Sequence, residues 1–215
     1  MIALRCIAAI LVSGWSLSVA AADPLSDLLA AKGGGACYER VYDAAHLAAN
    51  PGQRTHSLRM RLAPFADGTG AIARIEIRAP RETRFILAEC GWSERPNDDA
   101  LGQPLILTYK AGPGLVCHAR AAADEMSAEE GGDFVIDDKD GQSMTIHLPP
   151  ELVLWQGDRP APKGAVPLGR DDRVFLVHAA PAGRCADLDA LLPWEGADRL
   201  SPPPSLPGAV DTGTR

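Results

Sequence analysis

Short runs of alternating side chains, repeated along the chain and separated by turn-forming residues, restrict the fold more than any other feature of the sequence. In HSLRMRLA, Leu58, Met60 and Leu62 alternate with Arg59 and Arg61. In AIARIEIRA, Ala71, Ala73, Ile75 and Ile77 alternate with Ile72, Arg74, Glu76 and Arg78. A period of two sends the two sets to opposite faces of a strand, and the connection PFADGTG makes the pair an antiparallel hairpin. Further short candidates are RFILAEC, LILTYK, LVCHARA, DFVID, SMTIHL, ELVLW and RVFLVHA, between spacers such as ERPNDDALGQP and KAGPG. This pattern predicts an all-β fold, an antiparallel barrel or sandwich of about eight short strands with a short N-terminal helix. No internal repeat is visible, which argues against a propeller or solenoid.

The helix is expected in CYERVYDAAHLAANPGQ. Asp43 suits an N-cap, Ala44 to Ala49 are helix formers, and Asn50-Pro51-Gly52 stops the run. Two turns do not persist alone, so Tyr42, His46 and Leu47 form the expected packing face. Upstream, PLSDLLAAK has the composition for a helical turn or two, and residues 23–36 are read as a linker. Lys32 beside GGGA is no phosphate cradle, because no strand precedes it and no Lys-Ser/Thr step opens a helix after it.

Residues 1–22 read as an export signal. MIALR is short and basic, CIAAILVSGWSLSV is apolar, and AAAD offers small residues for cleavage near Ala20 or Ala22. A retained anchor is the alternative, although the apolar run from Cys6 to Ala22 falls just short of a spanning helix. The small residue that a lipid-attachment signal needs before its cysteine is missing at Cys6. After removal of the leader no transmembrane helix is expected, and the expected location is periplasmic or secreted. Cleavage leaves Cys37, Cys90, Cys117 and Cys185, enough for two disulfides with three possible pairings. No two have CxxC spacing, which disfavours zinc. Cys90–Cys117 and Cys37–Cys185 are the preferred bridges, each stabilising the fold by roughly 3–5 kcal/mol in the chain-entropy picture. The β domain is expected over 37–192, and the Pro- and Gly-rich stretch 193–215, including PPSLP, reads as a disordered tail.

The richest-looking motif is EEGGDFVIDDKDG, residues 129–141. Gly131-Gly132-Asp133-Phe134 lacks the second acid of a diguanylate cyclase signature. An EF-hand loop with Gly141 at its sixth position would need oxygen ligands where Ile136 and His147 stand. Phe134 and Ile136 alternate with Val135 and Asp137, and Met144, Ile146 and Leu148 alternate with Thr145 and His147. DKDG is then a hairpin turn, with a looser calcium site from Asp137, Asp138 and Asp140 as the alternative.

Three histidines, His118, His147 and His178, fall on predicted strands, and a catalytic zinc would need all three on one side. His118 and His147 oppose the apolar sets of their strands, which suits solvent, whereas His178 shares a face with Val174 and Leu176. No Gly-x-Ser-x-Gly elbow is present, and a Ser-His-Asp triad or a carboxylate pair is left unconstrained. No cofactor or metal is implied. The net charge of −7 argues against nucleic acid as the partner.

Arg59, Arg61, Arg74 and Arg78 fall on the side of the first hairpin opposite its apolar stripe, relieved only by Glu76. Such a group suits bidentate recognition of carboxylate or phosphate. The ordinary alternative is a solvated face whose arginines pair with acids elsewhere, for which residues 124–140 are an acidic source.

CYERVYDAAHLAANPGQ, with the later GGDF and DDRVFLVHAAPAGRC, resembles a group of small exported bacterial proteins without assigned function, over most of the mature domain. The resemblance implies export and no activity. For Tyr42, Asp43 and His46 it implies a structural role, in a short capped helix plugging one end of a β-barrel. Together these readings predict an exported, non-enzymatic binding or accessory protein whose partner is an anionic envelope component or another exported protein. A periplasmic hydrolase or metalloenzyme using the strand histidines, and an inhibitor of an exported enzyme, are the alternatives.

Overall fold

The computed structural model describes residues 24–65, 68–94, 113–120, 131–138, 140–156, 159–160 and 166–191. The longer strands are β1 (Ala36–Val41), β2 (Ser57–Pro64), β3 (Ala71–Ala79), β4 (Glu82–Ser93), β5 (Gly114–Ala119), β6 (Asp133–Asp138) and β7 (Ser143–His147). Four two-residue pieces follow, β8 (Glu151–Leu152), β9 (Trp155–Gln156), β10 (Arg159–Pro160) and β11 (Val166–Pro167), and then β12 (Val174–Ala180). β1 to β7 pair consecutively, all antiparallel, β7 pairs β12, and β12 returns to β1. The β4–β5 ladder, from Ala88↔Ala119 to Ser93↔Gly114, closes the ring. The fold is therefore an eight-stranded up-and-down barrel rather than a sandwich.

The two-residue period becomes the core directly. Across the β2–β3 ladder Leu58, Met60 and Leu62 face Ile77, Ile75 and Ala73, and all six are buried in one cluster with Tyr38, Ile86, Phe134, Ile146 and Phe175. These side chains fill the interior, each large aliphatic contributing about 1.5–3 kcal/mol by its burial. Burial, and secondarily Asp138 and Asp140, pushes the phenol of Tyr38 up to about 12, and its hydroxyl donates to the Gly141 carbonyl at 3.1 Å.

Helix α1 (Pro24–Ala31) belongs to this core, which corrects the reading of 23–36 as a linker. Leu25 and Leu29, four apart on one face, are buried in the barrel cluster. Leu28 lies beside Gly141 at the β6–β7 turn, so α1 packs at that end. A helix this short has no independent stability; its two buried leucines hold it. Helix α2 (Ala44–Ala49) forms where expected, with the Asp43 carboxylate accepting from the His46 amide at 2.7 Å. None of its residues is buried, so α1, not the capped helix α2, is the plug.

EEGGDFVIDDKDG ends in the expected turn. Gly141 has a φ of +67°, Asp138 accepts from its amide at 2.8 Å, and Asp140 accepts from Gln142 and Ser143 at 2.9 and 2.8 Å. These carboxylates thus serve the turn. The single strand expected over ELVLW is instead split into β8 and β9. Leu152 and Leu154 join the barrel cluster while Val153 and Trp155 join a second, outer cluster, and the Val153 amide is taken by the Gly131 carbonyl.

Both preferred disulfides form. Cys90 and Cys117 are directly opposed on β4 and β5, inside the barrel cluster. Cys37–Cys185 spans 148 residues and lies in the outer cluster with Ile72, Phe85 and Leu188. Among the described residues no helix is long and apolar enough to cross a membrane. The expected export signal, the candidate strand LILTYK and the tail 193–215 lie outside the described residues.

Candidate functional site

The four arginines singled out by the sequence do share the outer face of β2 and β3. Arg59 stands opposite Glu76, Arg61 opposite Arg74, and Arg78 opposite Ser57. Helix α3 (Ala186–Leu191) lies across that face, pinned by the Cys37–Cys185 bridge and by the buried Leu188. It delivers two carboxylates. Arg59 donates through Nε and Nη2 to the two oxygens of Glu76, both at 2.8 Å. Through Nη1 and Nη2 it also donates to Asp187, at 2.9 and 2.8 Å. Arg61 and Arg74 reach the two oxygens of Asp189 at 3.3 and 3.2 Å, and Arg78 reaches Glu76 at 2.7 Å.

The electrostatics follow from this geometry. Burial works to raise the Glu76 carboxyl, but hydrogen bonds from Arg59 and Arg78 outweigh it and hold the group below its usual value. The hydrogen bond from Arg59 likewise holds Asp187 low. Arg59 is pushed up by Glu76 and then by Asp187, whereas burial lowers Arg74 against the pull of Asp189. The described carboxylate partners are thus Glu76, Asp187 and Asp189, where the acidic stretch 124–140 was expected. An external anion at this face has to displace α3.

A second cationic surface lies where the barrel wall loosens. β1 pairs with β2 from Ala36↔Leu62 to Val41↔Ser57, but with β12 only from Cys37↔Ala180 to Glu39↔His178. Beyond the end of that shorter ladder lies a groove of about 440 Å³. Its polar wall is a stack. The Arg40 guanidinium sits 5.3 Å from the centre of the Tyr42 ring, Tyr42 and His46 have ring centres 4.6 Å apart, and His46 Nε2 donates to Gln53 Oε1 at 3.0 Å. The facing wall is apolar: Val174 and Leu176 on β12 are 57% and 44% exposed. Arg170 and Asp171, from the 3-10 turn Arg170–Asp172, also line it. Arg40 Nη1 donates to His178 Nε2 at 3.3 Å, and the other ring nitrogen of His178 lies 3.2 Å from Ser143 Oγ. Neither Arg40 nor Arg170 has a carboxylate partner among the described residues. Burial raises the Tyr42 phenol, with Arg40 pulling it the other way.

The three strand histidines are each engaged by a different partner. His118 meets Asp133 at 2.7 Å and His178 meets Arg40 and Ser143. His147, expected to face solvent, is buried with Asp137 at 3.1 Å. Asp137 pairs with Thr145 across the β6–β7 ladder, so the outward-facing His147 is its diagonal neighbour; the hairpin register was the signal that sequence reasoning did not use. Among the described residues no group of three or more His, Cys, Asp or Glu side chains is placed to hold a metal ion. No family model, curated protein or solved structure matches this chain, so its chemistry is read from its own residues.

Proposed function

We propose that this chain is an exported, non-enzymatic binding or accessory protein that recognises an anionic envelope component through its outer surface. The observation that carries the reading is the packed barrel: Tyr38, Phe134, Ile146, Phe175 and their neighbours fill the interior, which leaves recognition to the exterior. Arginine is the dominant functional group gathered there, and its planar fork suits carboxylates and phosphates. Export is supported by the basic, apolar and small-residue leader and by two buried bridges of a kind that persist in oxidising compartments.

Co-sedimentation of residues 23–215 tests this, with anionic and neutral lipid vesicles and with acidic and neutral envelope glycans, each at low and high salt. Retention on an anionic fraction that falls as salt rises is expected. Equal retention on neutral fractions, or none on any, would end the reading.

A further inference from the structure

We infer that the groove between β1 and β12 binds an anionic amphiphile: a carboxylate or phosphate head held by Arg40 beside an alkyl chain laid on Val174 and Leu176. This rests on the proposed surface recognition of anions and deepens it, by moving the site from the α3-covered arginine face to the open groove.

Three features of the groove point to this ligand class. The first is an arginine held in place yet poorly answered. The Tyr42 ring and His178 fix the Arg40 guanidinium, so little side-chain entropy is left to lose on binding. Its one described hydrogen-bond partner is a ring nitrogen, and Nε is shielded from solvent with no acceptor among the described residues. A carboxylate or phosphate oxygen offers the charge-assisted bonds that a neutral acceptor cannot.

The second feature is charge. Two guanidiniums, Arg40 and Arg170, and one carboxylate, Asp171, line the groove, so its fixed charges leave one positive unit to match a singly charged head. The third is the apolar wall. Val174 and Leu176 alternate onto the outer face of β12 and stay exposed beside the fixed cation, where an alkyl segment would remove their surface from water. Neither half is sufficient alone, and the combination selects a ligand that carries both.

Calorimetric titration of the mature protein with octanoate and with octyl phosphate tests the inference, with octyl glucoside and inorganic phosphate as half-ligands. Saturable binding of the octyl anions, at least tenfold tighter than either half-ligand, is expected. Arg40→Gln should weaken it tenfold or more, and Leu176→Ser several-fold; the latter changes an exposed residue and leaves the core untouched. Octyl anions that bind no tighter than octyl glucoside, or that bind both variants as they bind the parent, overturn the site. Vesicle sedimentation of the same proteins separates the two levels. Anionic vesicles held equally by the parent and Arg40→Gln, without binding of octyl anions, sink the groove and leave surface recognition standing. Octyl anions bound with no vesicle or glycan retention support the groove as a site for free amphiphiles and remove the envelope surface as its source.

Discussion

Arg59 and Arg40 stand on neighbouring strands, one register position apart, with Glu39 opposite Arg59 and Arg40 opposite Leu58. Their surroundings are opposite. Arg59 lies under a helix, held by two carboxylates in bidentate fashion; Arg40 lies in a groove and touches a ring face and an imidazole. The difference follows from water. A covered guanidinium without a counter-charge costs several kcal/mol, and on the β2–β3 face Glu76, Asp187 and Asp189 supply that counter-charge. Arg40, part-buried at the groove, meets a smaller cost, confined to its shielded Nε. A dense arginine cluster is therefore a poor guide to a free anion site, because its own acids can already occupy it.

The comparison breaks most visibly if α3 is released. Replacing Cys37 and Cys185 together by serine should cost roughly 5 kcal/mol, the chain-entropy value for so long a loop, in urea unfolding, with added retention on a polyanionic resin as the arginine face opens. Glu76→Gln should cost about 3 kcal/mol by the same measurement, because Glu76 is 2% exposed, Arg78 loses its described carboxylate and Arg59 one of two. Changing both half-exposed acids, Asp187→Asn and Asp189→Asn, should cost roughly 2 kcal/mol, because the guanidiniums they answer are largely covered, and should loosen α3 enough to raise retention on the polyanionic resin.

Acid should act in the same direction. Glu76 and Asp187 are both held below their usual values, so their stabilisation is present above the ordinary carboxylate range of about 4 and is lost as pH falls through the lowered folded values. Amide-exchange protection in 186–191, taken relative to the intrinsic rate at each pH, should therefore fall on acidification before the barrel strands respond. The smallest effect belongs to the groove: Arg40→Gln should cost about 1 kcal/mol of stability, for its lost contacts with the Tyr42 ring and His178, while abolishing most octyl-anion binding.

What the sequence makes legible follows from how local each signal is. Leu58, Met60 and Leu62 announce β2 because a period of two is written in adjacent residues, and Asp140-Gly141 announces its turn for the same reason. Cys90–Cys117 is readable because β4 and β5 are neighbours in both sequence and space. Asp187 and Asp189 are not readable as partners of Arg59 and Arg61, since 128 residues separate each pair and no local periodicity links them. α1 was hidden differently: PLSDLLAA is visible as a short helix, but its role as the plug depends on the barrel end that Leu25 and Leu29 enter. The groove depends on where the β1–β12 ladder stops, a property of two segments that lie far apart in the chain.

That ladder has a consequence for how the molecule comes to exist. β1, at residues 36–41, completes its ring only by meeting β12, at residues 174–180. A polypeptide delivered from its N-terminus first therefore carries β1 to β7 as an open ribbon, with two bare edges, until nearly all the described chain has arrived. Bare edges invite pairing with other chains, and such distant partners meet slowly. The hazard for this protein lies in the interval before shutting, and whatever shortens the wait for residue 180 protects it more than strengthening any strand already made.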